Sequence, residues 1–317
     1  MTIVIIGYGL HALLAAATLH LLHGVPLDDL LLIHDPRSGA DTGMLDTRFV
    51  QRTPVVEDLV QAMRAAGLEL PDEWAPVELR YAAKEGLREP TAELDRWFAE
   101  RLQVGELLRV REALKVEPMR FRYALRILLR KVPEARGFVE YIDEDERVVG
   151  FVEALVECKV PFETLITSAP LHHTLEALGW DVPSLEGCEI TAVSATVEAL
   201  DQLPPSLRTA AQWCAECGGH AYCRFLEGDQ VYTLTATPVP HGLRIDLDAP
   251  SADIPFTEQP RYLSHFTYTL PTRPPDPRLV EDIERRLPAV LVGVQARWMP
   301  WWMPSNTVEA VWERGLR

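Results

Sequence analysis

The sequence predicts an α/β fold that opens on a strand, helix, strand unit, and three observations carry that expectation. Residues 2–6, Thr-Ile-Val-Ile-Ile, are a short β-branched run of the kind buried on both faces of a parallel sheet. Gly7 and Gly9 follow at once, and Leu10 to Leu22 carries alanine and leucine at helical density. Residues 30–34, Leu-Leu-Leu-Ile-His, form a second apolar run that ends at Asp35. Strand, glycine turn, helix and strand in this order make a βαβ unit.

The 317 residues exceed one average domain and allow a sizeable core. Apolar residues at 47% and charged residues at 25% are ordinary globular usage, so disorder is not the expected state. A formal charge of −16 disfavours non-specific attraction to nucleic acid or anionic lipid, though not a local basic pocket. No apolar run reaches the roughly 18 residues that span a bilayer, and the first residues lack a secretory signal pattern. The five cysteines, Cys158, Cys188, Cys214, Cys217 and Cys223, are an odd number in a long chain and read as reduced thiols. The expected location is cytoplasmic.

Beyond the first unit, residues 55–130 read as a largely helical insertion, with helices over 55–66, 92–108 and 121–129 punctuated by Pro71, Pro76 and Pro90. From Phe138 the pattern turns to strands: 138–142, a polar turn at Asp143 to Glu146, then 148–156 and 162–167. A helix is expected over 172–178, a strand over 190–200, and a hairpin over 220–237 around Glu227-Gly228-Asp229-Gln230. Proline-rich residues 250–278 are expected to be irregular in places. A helix over 280–286, a strand over 289–293 and a helix over 307–314 close the chain.

The G-x-G spacing between a strand and a helix has a physical use. It lets the backbone turn tightly and approach a pyrophosphate, whose charge meets the amides and dipole of the helix N-terminus. Ala12 at the third position still allows helix and strand to pack closely. Asp35, 26 positions after Gly9, stands where an acidic side chain can accept hydrogen bonds from a ribose. The turn is therefore read as a Rossmann-type dinucleotide site. His11 within it is either an exposed first-turn histidine or a catalytic group.

Three segments, at the start, middle and end of the chain, resemble the flavoprotein superfamily of amine oxidases, protoporphyrinogen oxidase and UDP-galactopyranose mutase. Ile5-Ile6-Gly7-Tyr8-Gly9-Leu10-His11-Ala12-Leu13 is similar to that family's G-x-G-L-x-G-L turn. Phe162 to Leu171 looks like its D-x-V-I-x-T-x-P-L segment. Val290 to Trp298, followed by Ser305 to Ala310, is similar to its closing G-R-x-x-x-W motif and flavin-covering helix. The resemblance implies FAD as cofactor. By position, Gly7, Gly9 and Leu10 would meet the pyrophosphate, Asp35 the ribose, and Val148 the adenine through its backbone. Arg37 and Pro170 would also line the cofactor, and Gly293, Asn306, Thr307 and Val308 would lie along the ribityl chain and isoalloxazine ring. Two features depart from the pattern. Pro36 to Gly43 replaces the family's glycine pair, and Val294 stands where an arginine usually follows the closing glycine.

Other constellations carry alternatives. Cys214, Cys217, His220 and Cys223 have the number and softness for a zinc site, against reduced structural thiols or a redox-active cysteine pair. His172 and His173 follow the Ala169-Pro170-Leu171 turn and are either an acid or base near a flavin or solvent-exposed helix-start residues. Trp298, Trp301, Trp302 and Trp312, with Met299 and Met303, are either core or an aromatic wall. Arg122, Arg126 and Arg130 are either an anion site or a solvated helix face.

The expected architecture is thus a discontinuous, glutathione-reductase-like FAD domain over 1–50, 132–190 and 286–317, with an inserted α+β substrate domain over 51–131 and 191–285. The resemblance implies an FAD-dependent oxidoreductase that takes a hydride from a small substrate such as an amine. Its alternatives are a mutase or lyase working through a flavin adduct, and a flavin-binding partner protein with a degenerate site.

Overall fold

Five short strands form a parallel sheet in the order β17 (Ala289–Leu291), β11 (Thr164–Thr167), β1 (Ile3–Ile6), β2 (Leu30–His34) and β7 (Glu134–Arg136). The computed structural model describes residues 2–35, 49–83, 86–88, 92, 110–116, 118–180, 190–199, 212–217, 220–227, 230–239, 261–268, 277–293 and 304–314. Strand β1 lies between β11 and β2, with Ile3 beside Thr164 on one side and Leu30 on the other. Parallel sheets need both faces covered. Ile3, Ile5, Leu30, Leu32, Ile166 and Val290 are buried in one apolar cluster, while Val4, Ile6, Ile33 and Leu165 are buried outside it.

Four helices complete that cluster: α1 (Leu10–Leu22), α2 (Pro54–Ala65), α3 (Pro118–Leu128) and α6 (Pro304–Arg314). Helix α1 is buried on every side from Leu10 to Leu19, as befits a helix enclosed by others rather than laid on a surface. Its alanines, Ala15 to Ala17, are fully buried and admit neighbours closely. Thr53 caps α2 by accepting the Val56 N–H, and Pro54 supplies the first-turn proline that needs no partner. These elements belong to a unit of Met1–Trp74, Ala113–Glu186 and Pro274–Arg317.

The same unit holds an antiparallel meander of β8 (Phe138–Asp143), β9 (Val148–Glu153) and β10 (Val156–Pro161). Asp143 shapes its first turn, Oδ1 accepting the N–H groups of Asp145 and Glu146 at 3.0 and 2.8 Å. The single strand expected over 148–156 is instead broken into a hairpin. Ala154 and Leu155 take φ values of 49° and 69°, as a two-residue hairpin loop demands, without the glycine or asparagine that marks such loops.

The described residues of 55–130 are not largely helical. Besides α2 and α3 they carry β4 (Ala75–Ala83), β5 (Gly86–Arg88) and β6 (Val110–Lys115). Val77, Leu79 and Tyr81 alternate with Glu78 and Arg80, the period of a strand, but Pro76 masks the signal. The helix expected over 92–108 falls, apart from residue 92, outside the described residues. Within the first unit, β6 pairs antiparallel with β3 (Phe49–Gln51). The second unit, Ala75–Glu112 and Gly187–Arg273, is built on a sheet ordered β16 (Arg261–Tyr268), β12 (Ile190–Ala199), β15 (Gln230–Val239), β14 (His220–Glu227), β13 (Gln212–Cys217) and β4. The expected hairpin is β14 and β15, and the proline-rich stretch contains a regular strand, β16. The helix expected over 280–286 is α5 (Pro277–Arg286), in the first unit.

Asp35 pins the end of β2 to the meander. It is buried, and its Oδ2 accepts the Val139 N–H at 3.0 Å, beside the bulge where β8 shifts register between Val139 and Tyr141. An orphaned buried N–H costs about 1–3 kcal/mol. Asp35→Ala should therefore lower the free energy of unfolding by that amount, read as a lower urea midpoint at unchanged slope.

Candidate functional site

The two glycines of the turn do different work. Gly7 has φ of 121°, donates its N–H to the Ile33 carbonyl at 2.8 Å, and lies so close to Ser168 that a Cβ would overlap its side chain. The fold itself requires glycine there. Gly9, at the N-cap of α1, is extended (φ −71°, ψ 177°), and among the described residues a Cβ on it would meet nothing within 4 Å. Among the described residues no side chain caps this helix. The result is open space before a helix N-terminus, the arrangement that accepts an anion. Leu10 puts its side chain in the core, which leaves its backbone for any ligand contact.

Ser168 follows β11 and donates its N–H to the Ile6 carbonyl at 2.9 Å, so Ser168-Ala169-Pro170 runs beside the glycine turn. Pro170 is the N-cap of α4 (Leu171–Ala177). His172 and His173 are half-buried rather than exposed, with ring centroids 4.0 Å apart. Leu171 takes the fully buried position ahead of them and draws the first turn inward.

The closing segment reaches the same place. After β17, Gly293 turns with φ of 93° against the His11 ring, whose Cδ2 would be 3.1 Å from a Cβ there. Helix α6 starts at Pro304, earlier than expected, so Ser305, Asn306 and Thr307 lie in its first turn rather than ahead of it. Ser305, Thr307 and Val308 are buried. Thr307 Oγ1 is 2.8 Å from His11 Nδ1, a hydrogen bond between residues 296 positions apart. His11 is therefore not the exposed first-turn histidine that its place suggests: α6 and Gly293 cover it, leaving 8% exposure.

At the mouth of the turn stands a group that sequence reasoning only partly found. Tyr8, between the two glycines, stacks on His34 with centroids 3.4 Å apart. Arg122 donates to the Tyr8 carbonyl at 3.3 Å, and the guanidinium groups of Arg126 and Arg122 sit 4.6 and 5.8 Å from the Tyr8 ring. Half-buried Arg122 and exposed Arg126 thus border the turn, while Arg130 lies beyond α3 and is exposed. A cationic mouth in a chain of charge −16 suits an anionic ligand. Tyr8 and His34 carried a signal in retrospect: the x of G-x-G and the last residue of β2 both border the turn.

The remaining expected residues are dispersed or outside view. Asp35 is engaged with Val139, and His34 is the half-buried residue at the end of β2. Val148 begins the middle strand of the meander, paired with Asp143 and Pro161. Arg37, Cys188 and the tryptophans and methionines over 298–303 lie outside the described residues. Trp312 is on α6, 43% exposed, with its ring 4.8 Å from that of His23. In the second unit the register sets Cys214 opposite Cys223 and Cys217 opposite His220.

Two histidines are held neutral. Burial pushes His11 down to about 4 from an ordinary 6.5. His34 also falls to about 4, through burial and then the Arg136, Arg126 and Arg122 charges, so its 3.4 Å contact with Glu134 is no ion pair at neutral pH. The unfolded chain binds more protons between pH 6.5 and 4, so stability is full above this window and is lost as pH falls through it. For His11 the loss is on the order of 3 kcal/mol. His11→Gln should flatten the pH dependence of urea unfolding between pH 7 and 4.5 by roughly half, whereas parallel curves would contradict this account.

No protein-family profile matches the chain, and no curated protein matches it by sequence. Solved structures do. A reduced UDP-galactopyranose mutase superposes with a TM-score of 0.64 at 13% identity, covering 100% of this chain and 94% of that one. A flavin-dependent halogenase from Brevundimonas sp. BAL3 gives 0.54 at 10% identity over 98% and 71%. A flavin-dependent monooxygenase in complex with FAD and substrate gives 0.52 at 16% identity over 84% and 49%. At these identities the likeness is one of fold, and the chain has the mixed α/β fold that these enzymes share.

Proposed function

We propose that this chain is an FAD-dependent oxidoreductase that takes a hydride from a small substrate such as an amine. The hydrogen bond between His11 and Thr307 carries the reading, because it joins the glycine turn to the closing segment at a single place. The residues present fit the cofactor: open space before Gly9, an uncapped helix start, and a cationic mouth suit a pyrophosphate.

Gly7, Gly9 and Leu10 would hold the pyrophosphate, with Arg122 and Arg126 offsetting its charge. Asp35, Arg37, Val148 and Pro170 would line the adenosine half and the turn beside it. Gly293, Asn306, Thr307 and Val308 would hold the flavin half. FAD would supply the electron-accepting ring, since no protein side chain takes up a hydride. The chain's part is to bind and orient that ring and the substrate and to exclude water; His172 and His173, beside Pro170, are its candidate proton carriers. The second unit would be the substrate domain.

A second reading is a mutase working with reduced flavin, favoured by the superposition across 94% of a reduced UDP-galactopyranose mutase. Bleaching of protein-bound FAD by an amine without added reductant supports the oxidoreductase. Turnover of a UDP-sugar only after dithionite reduction supports the mutase.

Gly9→Ala separates binding from folding. Its backbone is open to alanine, so stability should change by about 1 kcal/mol or less, while a methyl in the path of the pyrophosphate should weaken FAD at least about tenfold. Flavin-fluorescence titration and urea unfolding measure the two. Unchanged FAD affinity in Gly9→Ala would remove the turn from the site.

A further inference from the structure

We propose that His11 is a positioning residue whose Nε2–H hydrogen-bonds an oxygen of the ribityl-phosphate part of bound FAD, an assignment that rests on the FAD reading above. His11 stands two positions after Gly9, in the first turn of α1. Its Nδ1 meets Thr307 Oγ1 at 2.8 Å, and its Cδ2 and Cγ would lie 3.1 and 3.2 Å from a Cβ on Gly293. The ring is therefore held between the start of α1 and the two segments assigned to the flavin half.

Nε2 is what packing leaves unexplained. It is fully buried and meets no hydrogen-bond partner among the described residues. An apolar side chain of similar size would fill the space in front of Gly293 without burying an unpaired polar atom. An imidazole here gains from a ligand atom that completes it. Burial keeps the ring neutral, so only one nitrogen carries a proton. We assign the Thr307 hydroxyl as the donor to Nδ1, which puts that proton on Nε2 and makes Nε2 a donor. A donor is what a phosphate or ribityl oxygen needs, and the backbone amides at the start of α1 are donors to the same neighbourhood.

Two variants of the full chain separate ligand contact from packing. In His11→Asn the amide overlays the Nδ1 edge and keeps a partner for Thr307 while losing Nε2. In His11→Gln the amide reaches the Nε2 position and gives up Nδ1. FAD affinity by flavin fluorescence and the thermal midpoint of the cofactor-free protein are measured for both. His11→Asn should keep the midpoint within about 2 °C and weaken FAD about tenfold or more, and His11→Gln should retain affinity within about threefold. Equal affinities, or weakening confined to His11→Gln, would overturn the assignment and leave His11 a packing residue. Failure of the wild-type chain to take up FAD would overturn the FAD reading as well, and shows in the wild type alone.

Discussion

At Gly7 the chain leaves β1 in a backbone conformation that L side chains rarely adopt, passing so close to Ser168 that no side chain fits between them. Much else at the site follows from that contact. It sets the N-terminus of α1 just beyond the C-terminal end of β1 and beside the turn that follows β11. It also commits α1 to burial on all sides, since the helix must run back along the sheet beneath α2, α3 and α6. The alanines of α1 permit that enclosure, and the helix start is the part of it left uncapped.

Around this start the chain spends polar groups sparingly. His11 and Thr307 satisfy one another in the interior, Asp35 satisfies Val139, and Arg122 satisfies the Tyr8 carbonyl. Each of these bonds ties the βαβ unit to a segment distant in sequence: the closing helix, the meander and α3. Burial holds His11 neutral, and burial with three arginines holds His34 neutral, so positive charge at the mouth comes from guanidinium groups that persist at any physiological pH.

The βαβ unit, α2, α4 and the β14–β15 hairpin were legible in the sequence because each is a local period bounded by a turn signal. Strand β4 was obscured by Pro76, and the hairpin at Ala154 and Leu155 has no turn residue to announce it. The site was harder. The glycines and the closing segment could be named from their order in the chain, but nothing near His11 in sequence indicates its burial, which comes from residues nearly 300 positions away. The phase at the end of β2 was likewise hidden, for only the meander decides that Asp35 turns to Val139 and leaves His34 beside Tyr8.

On the proposed reading, one ligand, a flavin dinucleotide, sits at the start of α1. The most direct measurement is the mass of the small molecule released on denaturing the purified protein, supplemented by FAD during purification. FAD in near-equal proportion to protein, with flavin absorbance lost from the protein on release, is the predicted result. Colourless protein that releases no dinucleotide and takes up none would contradict the account.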